Sequence, residues 1–72
     1  MIHSREDYQQ IQDPSNRIPN DEPVFLLRAQ DETASKTLRY WADLQKDDTV
    51  AALARKHADL MDEWPVKKSA DL

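Results

Sequence analysis

Arg28 closes a run of four large apolar residues, Val24 to Leu27, inside the stretch DEPVFLLRAQD from Asp21 to Asp31. A charge held beside apolar side chains costs free energy unless it is paired or faces an anion. The guanidinium fork matches two oxygens of a carboxylate or phosphate at once. Arg28 therefore suits either an ion pair with Asp21, Glu22 or Asp31, within or between copies, or a grip on an anionic ligand. Arg39, Arg55 and Lys56 form a second cationic set, although such charges most often mark a solvated helix face. Tyr40 adjoins Trp41 but is turned about 100° around a helix, where its ring can reach a pocket or a neighbouring subunit. Arg28, Arg39, Tyr40, Arg55 and Lys56 are the candidate ligand-binding residues. Charge would hold an anionic group and the tyrosine ring a flat one.

The other reactive side chains do not assemble into a catalytic set. His57 sits on an apolar stripe without a cysteine or HExxH spacing and fits a packed core or interface histidine. His3 lies in a polar segment and is expected to be solvated. Ser4, Ser15, Ser35 and Ser69 have no flanking glycine and no nucleophile elbow. The pairs Asp47–Asp48 and Asp62–Glu63 fit helix capping and solvation better than a metal site. Glycine is absent altogether, which removes glycine-rich phosphate cradles and dinucleotide fingerprints. The expectation is a binding protein rather than an enzyme, with no metal and no cofactor. An acidic alternative uses Asp43, Asp47, Asp48, Asp59, Asp62 and Glu63 against a basic protein surface.

A chain of 72 residues buries only about 60% of its unfolded surface. Cores this small seldom supply more than about 3–5 kcal/mol without a staple. With no cysteine and only two histidines, disulfides and a structural zinc site are excluded, so homo-oligomerisation remains. Absence of cysteine also fits a reducing, cytoplasmic setting. The net charge of −4 and the lack of a basic stripe argue against polymeric nucleic acid. No apolar run approaches the length of a membrane span.

The positioning elements follow from prolines and periodicity. Residues 1–23 form a polar N-terminal arm broken by Pro14, Pro19 and Pro23. A short helical turn is expected around Arg5 to Gln12, where Tyr8, Ile11 and Gln12 fall at helical spacing. Residues 24–64 form an extended segment followed by an antiparallel helical hairpin. The first helix, 32–46, is capped by Asp31 and gathers Ala34, Leu38, Trp41, Ala42 and Leu44 on one side. The second, 49–63, carries Val50, Leu53, Ala54, His57, Leu60, Met61 and Trp64 at three- and four-residue steps and stops at Pro65. Alanines 51, 52, 54 and 58 allow close helix approach. Residues 65–72 form a polar, loose tail. The fold class is mostly α: a two-helix hairpin with an extended N-terminal arm, oligomerising because each stripe is only half covered.

DEPVFLLRAQD, with Ala34 and then LRYWADL from Leu38 to Leu44, resembles a group of small phage and prophage proteins. They share an acidic-Pro-Val-Phe-Leu-Leu-Arg-Ala-Gln-Asp core followed by a helix with Arg-x-Trp-Ala. The likeness spans the middle third to half of the chain, and several relatives have proline where this chain has Ser35. The resemblance implies a phage setting, in the cytoplasm of an infected bacterial host, rather than an activity. Small acidic phage proteins without catalytic motifs often inhibit host machinery, as protein decoys or as oligomeric sponges that sequester cyclic-nucleotide immune signals. The helical hairpin is similar in architecture to such sponges. The expected function is anti-defence sequestration of a cyclic oligonucleotide between subunits, and the alternative is inhibition of a basic host defence or nucleic-acid-handling protein.

Overall fold

The structure, a computed structural model, describes residues 1–10 and 13–70. It is mostly helical, with two helices, α1 (Ala34–Asp43) and α2 (Asp48–Glu63), and two short strands, β1 (Ile2–His3) and β2 (Pro23–Val24). The strands pair in parallel, Ile2 with Pro23 and His3 with Val24, and Ile2 N donates to Glu22 O at 2.8 Å. The expected helical turn near the N-terminus is a 3-10 helix over Glu6–Gln10; Ile11 and Gln12 lie outside the described residues.

Both helices start and stop for local reasons. The Asp47 carboxylate accepts from Thr49 N and Val50 N at 2.8 and 3.3 Å, meeting two of the donors that a helix N-terminus leaves unpaired. Trp64, ahead of Pro65, turns extended and ends α2. At α1 the sequence predicts Asp31 as cap and a start at 32. The Asp31 carboxylate instead accepts from Thr33 N and Thr33 Oγ1 at 2.8 and 2.7 Å, closing a turn one step earlier. The helix then begins at Ala34, with Thr33 at the cap position and no side-chain cap hydrogen bond. It also ends short of 46. Leu44 N and Gln45 N bond back three residues, to Trp41 O and Ala42 O at 3.1 Å each, which tightens and closes the last turn.

The tail, expected to be loose, is tied to the segment ahead of α1. Lys68 N donates to Gln30 O at 2.7 Å, and Glu32 N donates to Lys68 O at 2.9 Å. Lys67 Nζ donates to Ala29 O at 2.8 Å and to Met61 O at 2.5 Å, placing a cation on a last-turn carbonyl of α2, where the helix dipole favours it. All four bonds end on backbone carbonyls, so no hydrophobic pattern in the tail announces them.

The helices pack antiparallel, since residues late in α1 meet residues early in α2 and the reverse (Asp43 with Arg55, Arg39 with Asp59 and Asp62). Their contact is made of alanine. Among the described residues the buried apolar side chains are Ala34, Ala42, Ala51, Ala54 and Ala58, with Leu38 partly buried against them. The large residues of both stripes lie largely outside this contact: Trp41, Leu44, Val50, Leu53 and Leu60 are exposed, and so is His57. At about 100° per residue, the Ala51–Ala54–Ala58 face of α2 lies roughly 100° around from the Val50–Leu53–Leu60 face. Helices approach closest where side chains are smallest, so the alanine face won the intrachain contact. The Val24–Leu27 run is likewise only half-buried, with Phe25 59% exposed.

Candidate functional site

Arg28 borders a recess between the N-terminal segment and the tail, lined by Arg5, Tyr8, Phe25, Gln30 and Lys68 among others. Its enclosed volume is about 40 Å³, and about 390 Å³ with its open mouth. One water needs about 10–15 Å³ on the enclosed measure, so the interior holds about three water-sized groups. That is the size of one carboxylate or phosphoryl group.

The fold builds this recess from three distant parts of the chain. The β1–β2 pairing brings the residues after His3 beside those after Val24, and the Asp31–Lys68 bridge brings up the tail. Within it the Arg5 guanidinium lies 4.9 Å from the centroid of the Tyr8 ring. It also donates twice to Asp7, from Nε to Oδ1 at 2.9 Å and from NH2 to Oδ2 at 2.6 Å. That hydrogen bonding, with Arg28 adding a more distant positive charge, holds the Asp7 carboxyl below the usual aspartate range. His3 meets the same tyrosine edge-on at 6.5 Å and 87°, so Tyr8 is fixed between a cation and a ring. Contrary to the solvated reading, His3 is half-buried; its Nε2 lies 3.1 Å from Met1 Sδ and its Nδ1 is buried without a partner.

Arg28 forms no ion pair among the described residues, so the pairing with Asp21, Glu22 or Asp31 is not made there. It is exposed, and its other side borders a second, open groove with Ala29, Gln30 and Trp64. Arg28 thus stands between Tyr8 and Phe25 on one side and Trp64 on the other. Among the described residues the recess is lined by Arg5, Arg28 and Lys68 and by the Asp31 carboxylate, and Arg5 is already held by Asp7.

The other candidates stand elsewhere. Arg39 NH2 donates to Asp59 Oδ1 at 2.8 Å and to Asp62 Oδ2 at 2.7 Å, and Arg55 NH2 donates to Asp43 Oδ1 at 3.0 Å. These pairs cross from α1 to α2 on one face of the hairpin. Asp62 and Asp59 raise the pKa of Arg39, while hydrogen bonds from Ser35 and Arg39 hold Asp62 below its ordinary range. Tyr40 is 67% exposed, and Lys56 is exposed on α2. None of these four lines the Arg28 recess. Of the residues lining this recess, the sequence singles out Arg28 and not Arg5, Tyr8 or Lys68. Tyr8 belongs to the N-terminal 3-10 helix, Arg5 directly precedes it and Lys68 belongs to the tail, and only the strand pairing and the tail bridge bring them beside Arg28.

Among the described residues no helix is long and apolar enough to cross a membrane. No protein-family model matches the sequence, and neither a curated protein nor a solved structure matches it significantly.

Proposed function

We propose that this chain is a non-catalytic, self-associating binding protein that captures a phosphate-bearing ligand at Arg28. The ligand class is a cyclic oligonucleotide signal, and the setting an infected bacterial cytoplasm in which the protein withholds that signal from host defence. The carrying observation is Arg28, which makes no ion pair among the described residues and borders the recess beside the rings of Tyr8 and Phe25. An arginine fork suits phosphate oxygens, and an aromatic ring stacks any base without selecting among them. The enclosed part accepts one phosphoryl group, so the bases would lie outside it, on Phe25 and Tyr8 or across Arg28 on Trp64. A ligand with several phosphates then draws on more than one recess, which suits pockets completed by a second copy. The acidic alternative has less support, because Asp43, Asp59 and Asp62 are engaged by Arg55 and Arg39.

The test is a thermal-shift titration with cyclic di- and trinucleotides, with inorganic phosphate and linear dinucleotides as controls. A ligand that binds only the folded state raises the melting temperature by mass action. The expected result is a rise with a cyclic nucleotide that is lost in Arg28→Ala while the circular dichroism spectrum is kept. No response to any cyclic nucleotide refutes the ligand class. A response that survives Arg28→Ala refutes the site.

A further inference from the structure

The hairpin has two unlike faces. Because Arg39 reaches Asp59 and Asp62, and Arg55 reaches Asp43, the charged flanks of α1 and α2 share one side. The opposite flanks share the other side. On α1 that flank holds Thr37, Tyr40, Trp41 and Leu44; on α2 it holds Val50, Leu53, His57, Leu60 and Met61, at about 100° per residue. It contains no Asp, Glu, Lys or Arg. Leu44 is 62% exposed and Leu53 63%.

We infer that this uncharged face is where a second copy of the chain docks, hairpin against hairpin. The inference gives a location to the self-association that the proposed function includes, and in that respect rests on it. Area supports a partner. The chain exposes 5885 Å², whereas folded monomers of 8.4 kDa expose about 4600 Å² by the usual scaling of surface with mass. The excess, about 1300 Å², exceeds the roughly 800 Å² that each partner contributes to a standard interface. The intrachain contact is built from alanines and leaves the bulky side chains uncovered, and a face-to-face pair of hairpins would cover them as a four-helix bundle does.

Charge does not oppose a like copy. Each copy carries −4, yet contact through this face buries no charge and opposes no carboxylates, since the ion pairs stay on the outer side. A basic partner would find no carboxylate to meet on it. An anionic membrane surface favours helices with lysine and arginine around the apolar face, and this chain is acidic.

The experiment uses light scattering and single-cysteine cross-linking on the full chain, which has no native cysteine. The wild type should scatter as a dimer or a multiple of it at tens of micromolar. Leu53→Cys should give a covalent dimer with a short bis-maleimide, and Ala52→Cys, on the charged side, should not. The double variant Leu44→Glu with Leu53→Glu should scatter as a monomer, and the cross-linking test stands if that variant does not fold. A folded wild-type monomer overturns the inference, as does equal cross-linking from positions 52 and 53. The two readings separate cleanly. A monomer that still answers a cyclic nucleotide through Arg28 overturns the docking face alone, and a dimer without any nucleotide response overturns the ligand alone.

Discussion

Ala42→Leu tests whether alanine closes the hairpin. Ala42 has no exposed surface and packs with Ala51, Ala54 and Leu38 between the helices. Leucine adds three carbons to a contact without room for them, and overpacking of this kind costs about 1–3 kcal/mol. A core of this size supplies about 3–5 kcal/mol in all, so the loss is a large share of stability. Each kcal/mol moves the melting temperature of a domain this small by about 4–8 °C, which predicts a fall of roughly 4–24 °C. Ala52→Leu is the matched control: the same substitution at an exposed position on the charged side of α2, where changes usually stay within about 0.5 kcal/mol. Thermal melts followed by circular dichroism at one fixed protein concentration read both. If Ala42→Leu stabilises the chain, or matches Ala52→Leu, the helices do not meet at Ala42 and the packing argument fails.

Asp47→Ala removes the acceptor for Thr49 N and Val50 N and should cost about 0.5–2 kcal/mol, read as a lower urea midpoint; an unchanged midpoint would show that the cap contributes nothing. The Asp62 carboxyl, held below its ordinary range by Ser35 and Arg39, loses its proton more readily folded than unfolded. Its stabilisation is therefore present above the ordinary aspartate pKa of about 3.9 and is lost as pH falls through the depressed folded value. Asp62→Asn should make stability less steep with pH on the acid side, and a slope equal to the wild type would rule the pairing out. The Asp7 carboxyl, lowered chiefly by Arg5, has the same sign, so Asp7→Asn should flatten the acid limb independently. Phe25→Ala should change stability little, because that side chain is more than half exposed; a loss in the range of about 3–5 kcal/mol would show that another copy buries it.

Several features of this protein follow from neighbours in sequence. The two helices are legible in the three- and four-residue spacing of apolar positions. The start of α2 follows from Asp47 and its end from Pro65, because capping and proline chemistry act within a turn. Arg28 stands out for the same reason: a charge directly after Val-Phe-Leu-Leu is locally conspicuous. Tertiary structure decided which side of each helix faces the other. Spacing marks a broad apolar arc but does not say which part of it closes, and the closest approach fell to the alanines, leaving leucines and tryptophans outside. The same packing set Arg39 against Asp59 and Asp62, residues 20 and 23 positions away, and so occupied cations that the sequence presents as available. The Arg28 recess needed a parallel pairing between residues 2–3 and 23–24 and a tail bridge from residue 31 to 68. Such contacts depend on backbone hydrogen bonds between distant segments, and a backbone N–H or C=O is the same at nearly every residue, so side-chain pattern does not encode the pairing.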